Sequence, residues 1–328
     1  MATETLAPPT PTTLSEGPKP PGRISDRVFR VVTLAAGLLV LVILGLIVLE
    51  TGGQARDWFS AEGLSSIFSS NWDPAHHHFG ALALVVGTLE VSLLALLIAV
   101  PVSVGLALFV TEVAPRRVRR WFVYSIDLLA AVPSVVFGLW AINVLFHPLA
   151  HAYSSISDAT AGIPLLDTLF GSPSKSGQAI MTAGIVVGIM ITPIVTAITR
   201  EVFATCPASQ KEAALALGAT RWEMIRGSVF PHSRSGVVSA VMIGFGRAVG
   251  ETIAVALVVG SNQRLTAHIF GTGDTMASII ANEFGDATGT WRSALIGLGL
   301  VLLVLTVVIG IVARSVLARA ERRLGAVA

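Results

Sequence analysis

LALVVGTLEVSLLALLIAVPVSVGLALFV, residues 82–110, carries one charged side chain, Glu90, in a run long enough to cross a bilayer. A helix rises about 1.5 Å per residue, so roughly 20 apolar residues span a hydrocarbon layer about 30 Å thick. Lipid offers backbone amides no partner, so such a run must be helical. Pro101 inside it is tolerable, because neighbouring helices can re-satisfy the freed carbonyl.

Five further runs read the same way: about 28–49, 122–145, 179–198, 237–259 and 294–313, with Pro133 and Pro193 inside two of them. The chain is therefore expected to be an all-α, polytopic membrane protein with six transmembrane helices. Composition agrees. Hydrophobic residues make up 53% and charged residues 13%, with a mean hydropathy of +0.76. A soluble domain carries about 25% charged residues. The net charge of +2 is small, and no nucleic-acid partner is expected. One cysteine, Cys206, excludes an intrachain disulfide and a cysteine metal cage.

The distribution of cations sets an orientation. Seventeen lysines and arginines lie in the N-terminal tail, the loops after the second and fourth runs, and the C-terminal tail. The other three loops hold only Arg56, Lys175, Arg264 and Arg292. The positive-inside rule then puts both termini in the cytoplasm. Six of the 16 prolines fall before Gly22. Residues 1–24 are read as a disordered cytoplasmic tail and residues 25–328 as the transmembrane domain. The run starting at Val28 has no small-residue cleavage site behind it and reads as an uncleaved span.

The loop at 201–235 is the most informative. It begins EVFATCPASQKEAALALGATRWEMIRGSVFPHS. Pro207 suits a first helical turn and Gly218 the left-handed position that ends a helix. Thr220 and Glu223 have the spacing of a capping box, so a second short helix is expected, closed by Pro231. Periodicity alone also fits an amphipathic connector lying on the membrane surface.

Two intramembrane charges stand out in the fifth run. Arg247 and Glu251 are four apart and so on one helix face. An arginine at membrane depth costs at least about 2.5–3.5 kcal/mol, so it must face a partner or a wet cavity. One reading is a structural ion pair with Glu251. The other is a forked donor for a passing oxyanion, with Glu251 holding Arg247 when the path is empty. Glu90 is a further candidate for the path. Asp127 reads as a snorkelling side chain. Thr88, Ser92, Ser134, Asn143, Thr192 and Thr196 can line a polar path or bond their own helix carbonyls. The run His76–His78 reads as a solvated loop rather than a metal site.

Glu212-Ala213-Ala214, then Gly218, then Phe230-Pro231 resembles the EAA loop of ABC-importer permeases. Ser228 and Phe230 depart from the isoleucine and leucine usual there. The segments 80–112, 128–139 (LLAAVPSVVFGL) and 244–259 (GFGRAVGETIAVALVV), with Trp72-Asp73-Pro74, resemble the PstC family of phosphate importer permeases. The likeness covers about residues 25–315. It implies the type I (MetI-like) importer fold, with a cytoplasmic coupling helix in which Lys211, Glu212, Ala213, Ala214 and Gly218 meet a separate ATPase. It implies a bacterial inner-membrane location amid lipid and transport of inorganic phosphate. It also implies three protein partners: a PstA-like second permease, a PstB-like ATPase dimer and an extracytoplasmic PstS-like phosphate-binding protein. The chain has no G-x-x-x-x-G-K-[ST] loop. ATP and magnesium therefore belong to the ATPase, and no cofactor or enzyme activity is expected here. Alternatives are a permease for phosphonate, sulfate or molybdate, a transporter that runs without ATP, or a phosphate-sensing scaffold.

Overall fold

The computed structural model describes residues 23–171 and 173–325. The proline-rich stretch before Arg23 lies outside them. Two compact units are distinguished, 1–50 and 51–328. The first holds most of α1 (Arg23–Gln54), an uninterrupted helix whose apolar side chains from Val28 to Leu49 are exposed. In water that would be prohibitive; it suits a helix whose solvent is lipid.

The second unit opens with α2 (Arg56–Glu62) and a two-residue antiparallel hairpin, β1 (Trp72–Asp73) and β2 (His78–Phe79). Then come α3 (Leu82–Leu108), α4 (Arg116–Ala130), α5 (Ser134–Trp140), α6 (Phe146–Thr160), α7 (Pro164–Phe170) and α8 (Ile180–Ala204). The chain continues with α9 (Ala208–Ala216), α10 (Arg221–Met224), α11 (Phe230–Val249), α12 (Ile253–Val258), α13 (Met276–Glu283) and α14 (Gly289–Gly325). Five helical stretches among the described residues are long and apolar enough to cross a membrane: 26–54, 82–113, 134–160, 180–204 and 289–315.

The first and sixth expected spans fall inside α1 and α14; the second matches α3 and runs on into a π-helical turn, Phe109–Val113, and the fourth starts one residue before α8. The other two need correction. The run 122–145 is not one helix. Pro133 lies outside any helix interior: α4 ends at Ala130, Pro133 caps α5, and a π-helical turn at Ala141–Leu145 leads into α6. Proline disfavours helical backbone at the residue before it, and α4 has stopped by Ala130, ahead of Val132 and Pro133. The run 237–259 is also broken. α11 stops at Val249, and α12 restarts at Ile253. The freed groups find local partners: Gly250 N–H donates to Gly246 O at 3.2 Å, and Thr252 Oγ1 donates to Gly250 O at 3.2 Å.

α8 is the central helix and packs against α3, α4 and α11. The largest core joins Val91, Ala95 and Ala99 of α3 to Ile180, Val187 and Ile191 of α8 and Val255 and Val258 of α12. A second core gathers Trp58, Phe79, Leu84, Met276, Ile279 and Leu295 where α2, the hairpin, α3, α13 and α14 meet. Gly87 sets the approach of α3 to the segment before α13, because a Cβ there would overlap the Asp274 carbonyl.

The loop after α8 is half as expected. α9 ends before Gly218, whose φ is +86°, and α10 carries the Thr220–Glu223 capping box. Pro231 does not close the second helix. α10 runs through a π-helical turn, Ile225–Val229, into α11, where Pro231 occupies the first turn. Proline fits there, since the first-turn amides have no intrahelical acceptor.

Candidate functional site

Arg247 lies in the last turn of α11, beside the break. Its cation is favoured by the carbonyl end of the helix dipole. The side chain is exposed and, among the described residues, makes no hydrogen bond or ion pair. The expected pair with Glu251 does not form. Glu251 lies beyond the break, is 8% exposed, and its Oε1 accepts the Ala254 amide at 3.3 Å. The carboxylate thus serves the first turn of α12 rather than the guanidinium. The four-residue spacing failed because the helix on which it depended is interrupted.

Glu90, on α3, is half-buried. It borders a small recess with Gly87, Asn262, Arg264 and Asp274. The hydroxyls proposed for a polar path mostly bond their own helix. Thr88, Ser92, Thr192 and Thr196 donate to carbonyls four residues back at 2.7–2.8 Å, as does the Asn143 amide at 2.7 Å. In the hairpin His76 Nδ1 is 2.7 Å from Asp73 Oδ2, while His77 adopts a left-handed backbone. The three ring systems do not converge.

At the arginine-rich end, α9 has no buried residue. Glu212 and Ala213 are exposed, and Leu217 is 90% exposed beside Gly218. Ala213, Ala214 and Leu217 border a shallow open groove with Gly227, Ser228 and Pro231. Leu215 and Leu217 are thus exposed apolar side chains beside small residues, on a helix too short to span a membrane. Lys211 differs from its neighbours. It turns inward, and its Nζ donates to Glu112 at the end of α3, 2.5 Å away.

Sequence reading missed an acidic cluster between α12 and α14. Asp274 is 3% exposed; its Oδ1 accepts from Ser278 Oγ at 3.0 Å and its Oδ2 from Ser261 Oγ at 3.2 Å. Glu283 Oε2 accepts the indole N–H groups of Trp72 at 3.2 Å and Trp291 at 3.0 Å. This carboxylate ties the hairpin to the start of α14. Thr275 and Ser278 form a reciprocal cap, but serine in place of glutamate hides that signal in sequence.

Burial raises the Asp274 carboxyl from its ordinary 3.8 to about 6, and nearby Glu283 adds to the rise. The folded protein then binds this proton more tightly than the unfolded chain. Stability falls as pH climbs from about 4 to about 6 and stays lower above that. Asp274→Asn keeps an acceptor for Ser278 and carries no charge. We expect it to raise the unfolding midpoint near pH 7.5, by at most roughly 2–3 kcal/mol of stability. It should also flatten the pH dependence between about 4 and 6. Thermal unfolding in detergent checks this; an unchanged slope would refute the assignment.

Comparison with known proteins agrees with this architecture. A family model described as the binding-protein-dependent transport system inner membrane component matches residues 99–325. The phosphate transport system permease protein PstC of Xylella fastidiosa is 41% identical over 303 residues, covering 92% of this chain and 93% of that protein. The PstC of Mesorhizobium japonicum is 40% identical over 305 residues, with coverage of 92% and 93%. A solved bacterial alginate ABC transporter, in complex with an alginate pentasaccharide-bound periplasmic protein, shares the fold. Its TM-score is 0.58 at 19% identity, over 89% of this chain and 96% of that one. The chain belongs to the family of binding-protein-dependent transport system inner membrane components.

Proposed function

We propose that this permease carries inorganic phosphate inward as one half of an ATP-driven translocation path, with Arg247 as the anion contact. The observation that carries the reading is a guanidinium beside the break between α11 and α12 that makes no hydrogen bond or ion pair among the described residues. A charge placed there at such cost needs a ligand of opposite sign. Arginine presents a planar fork of donors matched to two oxygens of a phosphate. The names of the PstC relatives favour phosphate over other oxyanions.

The remaining parts follow from the same reading. The arginine-rich ends of the spans face the cytoplasm of the bacterial inner membrane, with both termini on that side. α9 docks on an ATPase dimer, which holds the ATP and magnesium. Glu212, Ala213, Ala214 and Gly218 form the docking face. A second, PstA-like permease completes the path, and an extracytoplasmic phosphate-binding protein delivers the anion to the opposite end. Glu90 lies near that end and Arg247 deeper in the path. Glu251 orders the restart at α12, which keeps the broken backbone in place beside Arg247.

The test is uptake of labelled phosphate in cells lacking their own high-affinity phosphate importer. Expression of this chain with its partner subunits is expected to restore uptake that excess unlabelled phosphate abolishes. Sulfate and molybdate at the same excess should leave it unchanged. Competition by sulfate or molybdate equal to that by phosphate would reassign the substrate.

A further inference from the structure

α9 is attached to the spanning helices by very little. Its residues are at least partly exposed, and its apolar foothold is Ala214 against a small core of Ala107, Phe203, Cys206, Met224, Ile225 and Val229. One polar bond supplements this. Lys211 Nζ donates to Glu112 Oε1 at 2.5 Å, with the two side chains 21% and 9% exposed. Among the described residues no other hydrogen bond or ion pair joins α9 to a spanning helix.

The place where the bond lands is unusual. Glu112 sits in a π-helical turn, Phe109–Val113, that ends α3. Such turns are less regular than α-helix and concentrate at functional positions. A second cation grips the same turn from α4: Arg119 Nε donates to Val110 O at 2.6 Å, and its Nη2 donates to Thr111 O. The π-helical turn that ends α3 is thus held from two sides, by the basic start of α4 and by α9. α3 in turn packs along α8, and both meet α11, the helix that carries Arg247.

We propose that the Lys211–Glu112 pair is the strut that passes movement of α9 to α3, making these two residues positioning residues for transport. The inference rests on the reading of α9 as the docking helix for an ATPase. A poorly hydrated ion pair resists separation, because either charge left alone in that place is unpaired and desolvated. Displacement of an otherwise loosely held helix is therefore followed by the turn to which it is bonded. Without the pair, α9 can move while α3 stays. The motor would then still turn over while the path failed to switch.

The experiment uses the complete complex in proteoliposomes and measures phosphate transported per ATP hydrolysed. This ratio separates transmission from folding, since a merely structural bond alters the amount of assembled complex and not the ratio. Glu112→Gln and Lys211→Met are each expected to leave ATP hydrolysis by the assembled complex within about twofold of wild type. The transport ratio should fall about tenfold, within the span of coupling free energies between sites. The exchanged pair, Glu112→Lys with Lys211→Glu, is expected to recover most of the ratio. Should Glu112→Gln fail to assemble, Lys211→Met and Lys211→Arg provide the same comparison from the more exposed partner, with arginine expected to keep the ratio. A wild-type ratio in Lys211→Met overturns the strut, as does an assembled exchange variant that stays uncoupled. Wild-type complex that shows no ATP-driven uptake overturns the importer reading instead, so the two failures are distinct.

Discussion

Arg247→Gln is expected to abolish phosphate uptake, by about a hundredfold or more, while the complex still assembles. Two charge-assisted hydrogen bonds are lost, each worth roughly 1.5–3 kcal/mol, and each 1.4 kcal/mol is about tenfold in rate. Glutamine retains a polar tip of similar reach but neither the charge nor the fork. Assembly should survive because the side chain is exposed and makes no hydrogen bond or ion pair among the described residues. Initial rates of labelled phosphate uptake, normalised to the quantity of assembled complex, give the answer. Uptake equal to wild type would remove Arg247 from the path. Arg247→Lys is expected to fall between the two, keeping charge and losing bidentate geometry.

Trp58→Ala is expected to cause a large loss of stability, about 3–5 kcal/mol. Trp58 is fully buried on α2, and its indole N–H donates to Phe79 O at 3.1 Å. Its backbone N–H donates to Ser293 Oγ at 3.2 Å, and its ring fills the space over Gly297 of α14. The side chain therefore joins the hairpin, α2 and α14 at once. Alanine leaves a cavity and an unserved carbonyl. A midpoint lower by roughly 10 °C is expected for a chain of this size. Trp58→Phe, which keeps the apolar ring and loses only the donor, should cost about 1–3 kcal/mol. Thermal unfolding of the purified protein in detergent compares the two. Equal midpoints for wild type and Trp58→Ala would mean that this junction does not hold the end of the bundle.

Where the sequence was readable, one physical rule dominated locally. Continuous apolar runs fixed α1, α3, α8 and α14, because lipid allows them no other conformation. Gly218 and the Thr220–Glu223 cap were legible because turn and cap chemistry is local. The misreadings arose where tertiary packing decides. Gly250-Glu251-Thr252 is a short polar dip between apolar residues, but three residues average out over a window as long as a span, so the break that separates Arg247 from Glu251 does not register. Pro133 resembles Pro101 and Pro193 in its apolar surroundings, yet only Pro133 ends a helix, whereas the other two lie inside α3 and α8. Lys211 was grouped with Glu212 as part of a docking face. It also pairs with Glu112, 99 positions away, and no local spacing encodes such a pair. The Asp274 and Glu283 cluster was hidden for the same reason, since its donors come from Trp72, Ser261, Ser278 and Trp291.

The most direct measurement is transport by purified components. The permease pair and the ATPase are reconstituted in proteoliposomes with labelled phosphate and the binding protein on one side and ATP on the ATPase side. Accumulation of phosphate inside, dependent on hydrolysable ATP and lost in Glu212→Arg as the ATPase dissociates, is the predicted result. Phosphate movement that proceeds equally without ATP, or that persists when α9 can no longer hold the ATPase, would contradict it.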